Sequence, residues 1–157
     1  MKNLFLIRHA EAEPFSEELD DFDRPLTQSG KQDAAQIAAL LLSNRNVPQF
    51  IVTSPALRAL TTAHIFRVAL GLKEVQTKAE IYEANTDTLF KIINQLDDQY
   101  DVIALVGHNP GVSNLLYCLT GKIITIPTCG WVALELEADS WAEVSGDSGK
   151  MLQYQYP

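Results

Sequence analysis

The sequence predicts an α/β fold, a three-layer α/β/α arrangement with a mostly parallel central sheet flanked by helices. Three observations predict it. Short apolar runs alternate with segments of helical period through the first two thirds of the chain. One run, Val102-Ile103-Ala104-Leu105-Val106, is apolar without a break, as a strand covered on both faces is. The last third turns to strand and turn patterns, which adds an antiparallel edge. A chain of 157 residues is expected to form a single domain, 1–157.

The elements follow in order. Asn3 to Ile7 is an apolar β run. Glu11 to Gln28 is polar and acidic, carries Pro14 and Pro25, and reads as a long loop of the kind that often serves function. Thr27 or Ser29 caps a helix to about Asn44, with Ala34, Ile37, Ala38, Leu41 and Leu42 on one face. Phe50 to Thr53 is the next strand. Ser54 as N-cap and Pro55 at the first helical position open a helix over Ala56 to Leu70, stopped by Gly71. Val75 to Ala79 is a short strand. Asn85 or Thr86 starts a third helix, with Leu89, Ile92, Ile93 and Leu96 aligned. After the strand at Val102 to Val106, Pro110 opens a helix to about Leu119, ended by Gly121. Trp131 to Leu136 alternates like a strand, Val144 to Lys150 is turn-rich, and Met151 to Tyr156 is a final strand.

Composition narrows the function. The apolar fraction is 46% and the net charge is −8, so the chain is globular and repels nucleic acid and anionic membranes. Neither is expected as a partner. Cys118 and Cys129 make no CxxC pair and read as free thiols. No apolar run spans a membrane and no signal region precedes the first strand, so a soluble cytoplasmic protein is expected, a monomer or weak oligomer.

Polar chemistry collects where strands end. Arg8 and His9 follow the first strand, Ser54 and Arg58 the second, and His108 and Asn109 the strand at Val102 to Val106. Ligands of open α/β sheets bind outside the carboxyl ends of strands. Two guanidinium forks and two helix starts favour an oxyanion, and a phosphoryl group fits best. A neutral imidazole can accept a phosphoryl group, and a second can donate to its oxygens. Nearby Arg charges keep such rings neutral. With Arg supplying the charge, neither a metal nor a cofactor is expected.

These residues resemble a known family. Arg8-His9-Ala10-Glu11 resembles the RHG motif of the histidine phosphatase superfamily, the phosphoglycerate mutase-like clan. Arg24-Pro25-Leu26-Thr27, followed by Gly30, resembles its second signature. The third is resembled by Ser54-Pro55-Ala56-Leu57-Arg58-Ala59, with Thr61-Thr62-Ala63. Gly107-His108-Asn109-Pro110-Gly111 resembles the fourth. The matches run in family order over most of the chain. The short length and the RPLT and HNPG forms look most like SixA-type phosphohistidine phosphatases, which lack the lid insertions of larger relatives.

The resemblance implies a phosphoglycerate mutase-like fold, His9 as phosphoryl acceptor, and Arg8, Arg58 and His108 as the phosphate pocket. It implies Asn109, Ser54 and Arg24 as further substrate contacts. The family's usual acid lies in an L-x-E pattern, which Ile81-Tyr82-Glu83 fits best, with Glu80 as second choice. Two departures stand out. Ala10 replaces the usual glycine. The phosphate-side asparagine of mutases has no counterpart near Pro14, Phe15 and Ser16, which counts against a mutase.

Plainer readings stand beside these. Ser54 reads first as an N-cap, Arg24 as a surface charge, and Glu83 as an exposed loop carboxylate. The acidic run Glu17, Glu18, Asp20, Asp21 and Asp23 reads as a solvated loop or a screen against wrong anions. His64 reads as structural or exposed, and Trp131 and Trp141 as packing. No HxxxH or HExxH suggests a metal site, and no G-x-S-x-G elbow surrounds Ser54. The expected function is therefore a metal-independent phosphatase for phosphohistidine on a protein. Small phosphomonoesters or phosphoserine/threonine proteins are the alternative substrates, and a non-catalytic phospho-ligand-binding module is the alternative class.

Overall fold

The computed structural model describes residues 1–157. Six strands and four α-helices form it: β1 (Lys2–Arg8), α1 (Gln28–Leu41), β2 (Phe50–Thr53), α2 (Leu57–Leu70), β3 (Gln76–Thr77), α3 (Thr86–Asn94), β4 (Val102–Gly107), α4 (Gly111–Thr120), β5 (Trp131–Leu136) and β6 (Gly149–Gln155). One-turn 3-10 helices lie at Asp21–Asp23, Ala79–Ile81 and Trp141–Glu143. The single sheet has the order β3-β2-β4-β1-β5-β6. β1, β2, β3 and β4 run parallel, and β5 and β6 are antiparallel additions. The expected mostly parallel sheet with an antiparallel edge is present.

Alternation along the strands sorts the core into two layers. Leu4, Leu6, Ile103 and Leu105 face α3 and α4, packing with Leu89, Ile93, Leu115 and Leu119. Phe5, Ile7, Ala104 and Val106 face α1 and α2, packing with Ala34, Ile37, Ala63 and Phe66. β4 is buried at every position because both its faces are covered, which explains its unbroken apolar run.

Helix ends obey the local chemistry. Thr27 is the N-cap of α1, its hydroxyl accepting from the Gly30 N–H at 2.9 Å, so Thr27 rather than Ser29 starts that helix. The helix stops at Leu41, short of Asn44. Asn85 caps α3 by accepting from Thr88 at 2.9 Å. Gly71 and Gly121 end α2 and α4 in the left-handed conformation. One expectation fails here. Ser54 is not the cap of α2, which begins at Leu57 after Ala56 with no side-chain cap. The Ser54 hydroxyl accepts from the Ala56 N–H in the turn before the helix and is taken up by His108.

The sheet order positions the site. β4 lies between β1 and β2, with Arg8 opposite Gly107 and Thr53 opposite Val106. The residues that follow, His9, Ser54 and His108, therefore leave three adjacent strand ends together. Backbone bonds from the His9 N–H to the Gly107 carbonyl (3.1 Å) and from the Ser54 N–H to the Val106 carbonyl (3.1 Å) hold the exits in register. Gly30 then lets the start of α1 close against the loop after β1. Any side-chain carbon there would collide with the Glu11 carbonyl.

Candidate active site

His9 is buried, with 8% exposure. Its Nδ1 lies 2.7 Å from the Ala10 carbonyl. A carbonyl only accepts, so Nδ1 carries the proton and Nε2 keeps its lone pair. Ala10 is itself fixed, donating its N–H to the Thr62 hydroxyl at 3.0 Å. Its backbone is not among the positive-φ residues, and its methyl group is fully buried. Alanine therefore fits where the family usually has glycine, with no backbone strain.

His108 stands beside His9, ring centroids 5.2 Å apart. Its Nε2 lies 2.8 Å from the Ser54 hydroxyl. In the tautomer where Ser54 donates, the proton sits on Nδ1, which is buried and has no partner. Both rings are neutral at physiological pH. Burial, then the Arg58 and Arg8 charges, pull His9 down to about 4. Burial, then His9 and Arg58, pull His108 down to about 3. The Arg charges foreseen as the cause are real but second to burial.

Arg8 donates Nη1 to the Ile126 carbonyl at 3.1 Å, while its Nε is buried without a partner. Burial lowers its pKa. Arg58 is buried at the first turn of α2, and its Nε also lacks a partner. Its fork is not open as expected. Nη1 donates to the Asp21 carbonyl at 2.6 Å and Nη2 to the Asp21 carboxylate at 3.0 Å.

Asp21 corrects the reading of the acidic run as a solvated loop. The one-turn helix at Asp21–Asp23 folds the loop over α2. There the Asp21 carboxylate also accepts from the Tyr82 hydroxyl at 2.7 Å and from Arg24 Nε at 2.9 Å. These bonds, Tyr82 first, hold Asp21 down to about 2 and push the Tyr82 phenol up to about 12. Arg24 also donates to the Glu13 carbonyl at 2.7 Å. It braces the loop and adds positive charge near His9.

Asn109 lines the same cleft as His108 and Arg58 while one N–H of its amide donates to the Ile126 carbonyl at 2.8 Å and its Oδ1 accepts from Ser113 at 2.7 Å, so it also braces the site. Glu83 lines a polar cleft of about 490 Å³ together with Arg58, Tyr82 and His108. Glu80 is not among the lining residues. Gly111 permits this arrangement, since a Cβ there would lie 2.8 Å from the Ala84 carbonyl. His64 is exposed, and Cys129 is buried while Cys118 is half-buried, both as free thiols. Both tryptophans are buried, Trp131 packing on Phe5. No three His, Cys, Asp or Glu side chains cluster as metal ligands would. No helix is long and apolar enough to cross a membrane.

Chemically, the arrangement is one unprotonated imidazole nitrogen on a ring that meets His108 and feels the charges of Arg58, Arg8 and Arg24. Sequence reasoning overlooked three supports: Asp21, Tyr82 and Thr62. Thr62 and Tyr82 sit inside recognised signatures, and Asp21 was hidden among like charges.

The histidine phosphatase superfamily (branch 1) model matches residues 4–101. An uncharacterised chloroplastic protein of Arabidopsis thaliana is 30% identical over 167 residues, covering 94% of this chain and 72% of its own. The solved SixA protein of Agrobacterium tumefaciens is 26% identical with a TM-score of 0.83, covering 99% of this chain and 98% of that one. The protein histidine phosphatase SixA complexed with tungstate has the same fold, at 20% identity and TM-score 0.82, covering 98% and 96%.

Proposed function

We propose that this chain, which belongs to branch 1 of the histidine phosphatase superfamily, removes the phosphoryl group from phosphohistidine on a protein by way of a phospho-His9 intermediate. One observation carries the reading. Five buried side-chain nitrogens in the chain lack a partner, and three of them are Arg8 Nε, Arg58 Nε and His108 Nδ1. Buried donors are normally satisfied. His108 lies beside the His9 ring, and the Arg58 and Arg8 charges act on it, so three unsatisfied groups next to one nucleophilic ring fit an oxyanion with several oxygens.

His9 Nε2 attacks phosphorus, and the P–N bond of the substrate breaks with its electron pair passing to the leaving imidazole. Arg8, Arg58 and His108 hold the three non-bridging oxygens through the loose transition state. Water then attacks phospho-His9, releasing inorganic phosphate and restoring the imidazole. Neutrality of His9 supports its role, because only the unprotonated ring is a nucleophile. The likeness to SixA proteins supports the substrate class.

The test is turnover of a phosphohistidine protein and a panel of phosphate monoesters by the wild type and by His9→Ala. The substitution should cost at least about a thousandfold with every substrate. Undiminished turnover would remove His9 as the nucleophile. Labelling with an alkaline denaturing quench, which preserves the acid-labile P–N bond, should find phosphate on His9, which a non-catalytic binding module would never show. A wild type that hydrolyses esters and ignores phosphohistidine would overturn the substrate class alone.

A further inference from the structure

Glu83 adopts a φ of 56°, a left-handed backbone that strains a glutamate. Gly111 and the Ala84 carbonyl approach so closely that this turn is pressed against the start of α4, next to His108. The turn thus brings the Glu83 side chain to the wall of the cleft that opens from His108 and Arg58. The charged groups that share the cleft with it are already paired. Arg58 is committed to Asp21, and Asp21 also to Tyr82 and Arg24. The Glu83 carboxylate makes no ion pair within the chain, although Asp21, Arg24 and Arg58 all do.

The cleft has a second feature. Its wall carries the Tyr82 ring, which stands edge-on to His108 with centroids 5.7 Å apart. Tyr82 in turn meets Phe22 edge-on at 5.2 Å. An aromatic wall beside an uncommitted carboxylate suits a flat ring that carries an N–H or a positive charge. It repels an anionic leaving group.

We propose that Tyr82 and Glu83 form a subsite for the departing imidazole, in which Glu83 accepts a hydrogen bond from the ring nitrogen remote from phosphorus. This rests on the phosphohistidine reading above. The chemistry requires such a partner. An imidazole bonded to phosphorus leaves poorly as an imidazolate anion. Protonated beforehand on the remote nitrogen, it leaves as neutral imidazole: the P–N pair returns to the ring, and the remote N–H stays where it was. The proton comes from solvent before the bond breaks. Glu83 favours that protonated ring, and so acts as a carboxylate acceptor rather than as the proton-donating acid the family pattern implies.

The test compares Glu83→Gln and wild type on free Nε2-phosphohistidine and on 4-nitrophenyl phosphate, between pH 6 and pH 8. At pH 8 the ratio of kcat/KM for phosphohistidine over that for the ester should fall about tenfold in the variant, the size of one hydrogen bond to a charged group. At pH 6, where solvent protonates the ring more readily, the ratio should fall less. Glu80→Gln, outside the cleft, should leave the ratio as in wild type at both pH values. Glu83→Gly relieves the left-handed strain and removes the carboxylate, so it should fold and show the same ratio change. A ratio that rises, because the ester suffers more, would make Glu83 a donor to an alkoxide and overturn the proposal. An unchanged ratio would overturn it too. Wild type inactive on phosphohistidine but active on the ester would instead fail the substrate class on which the proposal rests.

Discussion

Asp21 grips Arg58 twice, through its carboxylate at 3.0 Å and its main-chain carbonyl at 2.6 Å. The grip aims the guanidinium and also stands a negative charge beside the place where an oxyanion binds. Asp21→Asn keeps the carbonyl contact and removes the charge. Inorganic phosphate should then inhibit about tenfold more strongly, since one repulsive charge at short range is gone. Raising the salt concentration should shrink the difference between variant and wild type. At the same time kcat should fall, because Tyr82 and Arg24 lose their carboxylate. Measured inhibition constants that do not differ would show that Asp21 does not oppose the ligand.

Ser54 lies 2.8 Å from His108 Nε2 and accepts from the Ala56 N–H. Where the hydroxyl donates to Nε2, it holds the ring proton on Nδ1. Ser54→Ala frees the ring to take the other tautomer, which offers a lone pair to an anion. The expected result is a drop in kcat of roughly thirtyfold with folding intact, the scale of a lost orienting hydrogen bond plus a tautomer penalty. Steady-state kinetics with a phosphomonoester would show it. A normal kcat would mean that something else sets the His108 tautomer.

A methyl group at Gly30 has nowhere to go. It meets the Glu11 carbonyl, which is backbone and cannot swing away. Gly30→Ala should destabilise the fold by about 3 kcal/mol, lowering Tm by roughly 9 °C for a chain of this size. Activity should fall with it, since the displaced loop carries Ala10 and hence the hydrogen bond to His9. Thermal melts and turnover on the same sample would test both halves.

Acid should unfold this chain earlier than carboxylate titration alone would. His9 and His108 are held down to about 4 and about 3, mainly by burial, from an ordinary 6.5. As pH falls below 6.5, the unfolded chain binds protons on these rings and the folded chain does not. Stability therefore declines on acidification, down to about 4 for His9 and about 3 for His108. Asp21, held down to about 2 from 3.8, adds a loss of the same sign at lower pH. The urea midpoint should already drop between about pH 7 and pH 5. A double replacement of His9 and His108 by Asn should flatten that interval, and a flat wild-type curve would contradict the burial account.

Much of this was legible in the sequence because it rests on local rules. The unbroken run at β4, the periodic faces of α1 and α3, and the glycines that end α2 and α4 need no knowledge of the whole fold. The convergence of His9, Ser54 and His108 on one sheet edge followed from the rule that parallel strands present ligand sites at their carboxyl ends, whereas the placement of β4 between β1 and β2 did not. What escaped depends on long loops. Asp21 meets Arg58 and Tyr82 across 37 and 61 residues of chain, so its acidic neighbours made it look like any solvated charge. The turn that starts α2 one residue late reflects competition for the Ser54 hydroxyl, which no local cap rule contains. Asn109 lines the cleft, and its amide also holds Ser113 of α4 and Ile126 of the loop after it, a contact across 17 residues that no local rule contains.

The bond from His9 Nδ1 to the Ala10 carbonyl has a thermodynamic consequence. The ring that receives the phosphoryl group keeps its own remote proton against an oxygen throughout. On the proposed reading, donor and acceptor are then the same chemical species, two imidazoles each protonated on the far side, one braced by Ala10 and the other by Glu83. Transfer between them is nearly isoenergetic, so the first half-reaction is reversible. Only the water that arrives afterwards gives the cycle its direction.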